Sequence, residues 1–78
     1  MDWQSYIHTD SNILAGKPVI KGTRVSVDYL LGRLADGWSE KQILDNHPTL
    51  KQIHLQAVYA FAYEGLKDIL LLPVPKSA

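Results

Sequence analysis

Three histidines, eight carboxylates and a few hydroxyls are the groups in this 78-residue chain from which catalysis or metal binding would have to start. His47 and His54 straddle a proline turn, and His8 lies far from both in sequence. Two imidazoles seven positions apart, with no third ligand at a recognisable spacing, make a weak metal signal and read as surface or capping histidines. A metal-dependent nuclease needs three or four carboxylates converging on one spot. Here Asp2, Asp10, Asp28, Asp36, Glu40, Asp45, Glu64 and Asp68 are instead spread over helix starts, helix ends and turns. Ser26, Ser39 and Thr49 stand where helix caps are needed, which leaves no nucleophile with a base beside it. Residues 16–23 hold glycines and lysines, but without the spacing of a phosphate loop. The expectation is a protein that is not an enzyme and has no metal or cofactor.

Basic residues carry more information. Lys17, Lys21 and Arg24 lie in a stretch with no acid between Asp10 and Asp28. Lys51, Gln52 and His54 fall near the start of the third expected helix. In a helix-turn-helix that is the position that enters the DNA groove. Lys21, Arg24, Lys51, Gln52 and His54 are therefore the candidate DNA-binding residues. Only Lys51 of the helical three is firmly charged, so a solvated helix face explains them equally well. Eight basic and eight acidic residues give a formal net charge of zero, which argues against a polyanion-coating protein.

The elements that must position these groups fit within one domain, residues 1–78, in which 7–64 form the body and 65–78 an apolar C-terminal tail. A core this small stabilises a chain by only a few kcal/mol. With no cysteine, disulfides are excluded, and association with another subunit is the remaining way to bury more surface. The longest apolar run, Ile69-Leu70-Leu71-Leu72, is too short to span a bilayer, and the first residues lack a signal-peptide pattern. We expect a soluble cytoplasmic protein with no membrane partner.

The chain begins with Trp3 and Tyr6, expected to cover the edge of the core, and with Ile7-His8, able to lie as a strand against the later hairpin. That β-hairpin is expected to have strands 18–20 and 23–25 around a Lys21-Gly22 turn. Ser26 caps a first helix whose apolar face is Val27, Leu30, Leu31, Leu34 and Ala35, and Gly37 ends it. Ser39 and Gln42 form a capping box for a second helix, with Trp38 and Ile43 at staple positions, and Pro48 ends it. Thr49 and Gln52 repeat the box spacing and are expected to start the third helix, reaching about Asp68. Its first stripe, Leu50, Ile53, Ala57, Ala60 and Phe61, is expected to face the core. A second stripe, Leu55, Val58, Tyr59, Ala62 and Leu66, then faces outward and calls for a partner. With Ile69 and Leu71 of the tail it is the candidate interface. The fold class is mostly α: a short N-terminal β-hairpin followed by a three-helix, helix-turn-helix bundle.

Three segments in this order carry a resemblance. They are Gly16-Lys17-Pro18-Val19-Ile20-Lys21-Gly22-Thr23-Arg24-Val25, then Ala35-Asp36-Gly37-Trp38-Ser39, then Ile43-Leu44-Asp45-Asn46-His47-Pro48. The chain resembles, over residues 7–62, the small bacterial domain-of-unknown-function family numbered 433. That resemblance implies a homeodomain-like helix-turn-helix protein. It also implies an antitoxin that neutralises a PIN-like ribonuclease toxin, works as a homodimer and binds operator DNA. In such pairs the antitoxin's tail often occupies the toxin's active site, whereas residues 66–78 here are short and apolar. Zero net charge keeps a reading from another class beside it: a protein-interaction and dimerisation module with no role on DNA.

Overall fold

The computed structural model describes residues 1–69. A 3₁₀ turn at Trp3–Ser5 leads into strand β1 (Ile7–His8), and strand β2 (Val19–Ile20) comes next. Three helices complete the order: α1 (Val27–Ala35), α2 (Glu40–Asn46) and α3 (Gln52–Lys67). The fold is mostly helical, with a short antiparallel strand pair at its N-terminal end.

β1 pairs with β2 in the register Ile7 opposite Ile20 and His8 opposite Val19. The Lys21-Gly22 turn is present: Thr23 N–H donates to Ile20 O at 3.0 Å, and Gly22 has the φ of 78° that position i+2 of a type II turn requires. The returning segment 23–25, expected as the second strand, forms no strand. It keeps one ladder bond, Ile20 N–H to Val25 O (2.9 Å), and an isolated bridge joins Val19 to Ser26. Thr23 is the reason. Its hydroxyl donates to Ile20 O (2.8 Å) and accepts from Val25 N–H (3.0 Å), taking backbone groups that a ladder would use.

The first two helices obey local sequence signals closely. Ser26 Oγ accepts from Tyr29 N–H (2.9 Å) to cap α1. At its other end Gly37 N–H bonds Leu34 O (3.1 Å) and Trp38 N–H bonds Arg33 O (3.0 Å), a Schellman closure with Gly37 at φ 96°. The box starting α2 has both arms, Gln42 N–H to Ser39 Oγ (3.1 Å) and Ser39 N–H to Gln42 Oε1 (2.8 Å).

α3 departs from expectation twice. Its cap is Lys51 and not Thr49, because Leu50 is drawn into the core and its N–H closes a turn on His47 O at 2.9 Å. The helix therefore begins two residues later, and His54 Nδ1 accepts the Lys51 N–H at 2.8 Å. The second departure concerns the facing of α3. Leu55 and Val58 are 0% exposed and meet Ile7, Ile20, Leu30, Ile43 and Leu50 in a single core, whereas Ile53, expected inside, is 41% exposed. Leu55 and Val58 are thus core residues and are withdrawn from the candidate interface. Beside this core α3 is covered further by its own chain, and Ala57 of the expected stripe is buried with Leu55 and Val58. Trp3 sets its ring edge-on to Phe61 (centroids 4.9 Å apart), and its indole N–H donates to Glu64 Oε2 at 2.9 Å.

Candidate functional site

The residues named for binding fall into three places. The first is the junction where α2 starts beside α3. Glu40 accepts from Tyr59 Oη (2.5 Å) and from Gln52 Nε2 (3.0 Å), which ties the two helices together. Those bonds, Tyr59's before Gln52's, hold the Glu40 carboxyl below its ordinary 4.5. Partial burial and then the bond to Glu40 push the Tyr59 hydroxyl up to about 12. Gln52 and Tyr59, expected to face DNA and a partner respectively, are thus occupied within the fold.

This junction carries a pH prediction. A phenol raised above its ordinary 10.0 adds stability below pH 10 that fades as pH rises through about 12. A carboxyl lowered from 4.5 adds stability above that pH that fades as acid protonates it. Wild type should therefore be more stable than Tyr59→Phe at neutral pH, with the gap closing at both extremes. Urea denaturation followed by circular dichroism across pH reads this directly. A gap independent of pH would contradict the linkage.

Beside the junction, His54 serves as the cap acceptor and stands edge-on to Tyr6 (centroids 5.7 Å, 88°). Lys21 N–H donates to Tyr6 O at 2.9 Å. This chain of contacts brings the Lys21 turn next to the Lys51 cap, and both lysine side chains are exposed. Of the candidate DNA set, Lys21 and Lys51 are both linked to this junction through Tyr6 and His54.

Arg24 lies elsewhere, in the second place. It lines an open pocket of about 270 Å³ with Leu14, Val25, Ser26, Tyr29 and His47. The Tyr29 and His47 rings meet edge-on at 5.6 Å, and the Arg33 guanidinium sits between Tyr29 (5.3 Å) and Trp38 (5.4 Å). One wall has an unusual backbone: Leu14, Ala15 and Gly16 take φ values of 48°, 57° and 85°. Two successive left-handed residues bearing a Cβ are costly and persist only where the surroundings over-determine them. The pocket escaped sequence reasoning. His47 was weighed only as a metal ligand and turn residue, and nothing in Leu14-Ala15 announces a left-handed backbone. The one available signal was Arg24, inside the segment most specific to the family.

The third place is the far end of α3. Tyr63, Leu66 and Ile69 are 70%, 61% and 51% exposed, while Ala62 is half-buried. Leu66 and Ile69 keep their place as candidate interface residues on exposure alone, and Leu71 lies outside the described residues. No helix among the described residues is long and apolar enough to cross a membrane.

Residues 7–62 match the model of the family described as protein of unknown function (DUF433), and the chain belongs to that family. No curated protein and no solved structure matches it.

Proposed function

We propose that this DUF433 chain is an antitoxin-like binding protein that acts in the cytoplasm as a homodimer, neutralises a PIN-like ribonuclease toxin and binds operator DNA. The observation that carries the protein-binding half is the exposed apolar strip Tyr63, Leu66 and Ile69. It runs into the apolar sequence that begins Leu70-Leu71-Leu72. Large apolar groups in a row on a small monomer's surface are what a partner covers. Lys21 and Lys51, both exposed, supply cations for phosphates or for an acidic toxin site.

The second reading, an interaction module with no role on DNA, has its own support. At the start of α3 the Glu40 carboxylate is bonded to Gln52, and it sets a negative charge where a recognition helix would meet phosphate.

Both halves are measurable with the purified chain and a PIN-like ribonuclease encoded beside it. The expected results are co-purification, inhibition of RNA cleavage and a two-fold symmetric complex by light scattering. A gel shift with the gene's upstream DNA separates the two readings. Specific binding that weakens steeply with salt and is lost on Lys21→Ala or Lys51→Ala supports the operator role. Absence of binding at every salt concentration leaves the interaction module. Undiminished ribonuclease activity in the presence of the chain would defeat the antitoxin reading.

A further inference from the structure

The pocket beside Arg24 has no part in the toxin reading, and its position at a sheet edge gives it a different use. The bridge from Val19 to Ser26 is flanked by two bonds, Ile20 N–H to Val25 O and Val27 N–H to Pro18 O, both 2.9 Å. Bonds on either side of the bridged residues, and none between them, mark a non-hydrogen-bonded pair. At such a pair the backbone groups of each residue point away from the other strand. Ser26 C=O is taken by Leu30 N–H at 3.2 Å, at the start of α1. Ser26 N–H points outward, to the side away from β2, and meets no acceptor among the described residues.

Ser26 also lines the pocket, so an outward-facing backbone donor and an apolar hollow lie together. The hollow is walled by Leu14, Val25, Tyr29 and His47. Its walls are held in place: His47 and Arg33 flank the Tyr29 ring, and Leu14 is set by left-handed backbone. Arg24, exposed at the same pocket, forms no ion pair among the described residues, where the pairs are Lys17 with Asp28 and Lys41 with Asp45.

We propose that this pocket docks an extended peptide segment of a partner protein, one in which a large apolar residue is followed two positions on, on the same face of the strand, by a carboxylate residue. Ser26 N–H takes a backbone carbonyl of the incoming segment, as in strand addition at a sheet edge. The apolar side chain fills the hollow between Leu14 and Tyr29, and the carboxylate pairs with Arg24 in a charge-assisted hydrogen bond. Charge complementarity sets the occupant's sign. A nucleic-acid backbone calls for several converging cations, and among the described residues Arg24 alone lines the pocket with a fixed charge.

The test uses the full-length chain, labelled with ¹⁵N, and three probes. Two are capped short peptides, threonine-rich, with a central phenylalanine and, two positions on, glutamate in one and glutamine in the other; the third is a short duplex DNA. The glutamate peptide is expected to shift the amides of Val25, Ser26 and Tyr29, with the Ser26 proton moving downfield. The glutamine peptide should bind about tenfold more weakly. Arg24→Gln should erase that difference without altering the melting curve, because Arg24 is exposed. Leu66→Ser, which bears only on the toxin surface, should leave the titration unchanged. The proposal is overturned by equal binding of the two peptides, by no shift at millimolar peptide, or by DNA shifting these amides more strongly than either peptide.

Discussion

Leu55→Ala is expected to remove most of the protein's stability, a larger effect than any other single truncation on α3. The side chain is fully buried and packed with Leu30, Ile43 and Val58, contributed by all three helices. Cutting a buried leucine to alanine costs about 3 kcal/mol, from lost transfer energy and the cavity left behind. A domain of this size has only a few kcal/mol in total. Ile53→Ala, near it in sequence and 41% exposed, should cost well under half as much. Urea denaturation followed by circular dichroism distinguishes the two. The comparison also decides what Leu55 is for. A Leu55→Ala protein with wild-type stability that lost its partner would restore it to the interface and show the packing of α3 to be wrong.

The double variant Leu66→Ser with Ile69→Ser is expected to do the reverse: keep the fold and lose the toxin. Both side chains are more than half exposed at the end of α3, so stability should change by about 0.5 kcal/mol or less. In a complex, a buried leucine or isoleucine contributes roughly 1.5–3 kcal/mol. Removing two such anchors should weaken binding by about a hundredfold or more. Titration calorimetry with the purified ribonuclease gives the affinity, and a melting curve of the free chain confirms the fold. Unchanged affinity would move the toxin contact away from the end of α3. Tyr63, the most exposed of the three, provides an internal check, since Tyr63→Ala should weaken binding in the same direction.

The candidate site was only partly legible before the structure. Lys21 and Arg24 stand out because charge without a local counter-charge is visible in a sequence, Lys51 by its place at the start of α3, and all three side chains are exposed. Gln52, His54 and Tyr59 were chosen by their place on α3. Folding assigns them to Glu40, to the Lys51 cap and again to Glu40. Polar side chains at a helix start bind whatever acceptor or donor lies nearest, and here the nearest groups belong to the chain itself. The pocket was illegible for a related reason. Leu14, Arg24, Tyr29 and His47 come from four separate segments, and no local rule links them.

What the sequence by itself determined is what is encoded within about four residues, the reach of a cap or a turn. Ser26, the Ser39-Gln42 box, Gly37 and the Lys21-Gly22 turn specify where α1 and α2 begin and end, and their bonds form as the residue types require. The neutral formal charge is legible in the same way. Tertiary structure alone decided which face of α3 is inside. A helix that is apolar nearly all round has no preferred side until distant partners select one. Those partners are far away in sequence: Trp3 bonds Glu64 across 61 positions, and Glu40 bonds Tyr59 across 19. They turn Leu55 and Val58 inward and leave Ile53 in water. The pairing of β1 with β2 follows the expected lie of Ile7-His8 against the turn segment, while beside β2 the Thr23 hydroxyl competes locally for the ladder and keeps residues 23–25 from forming a strand.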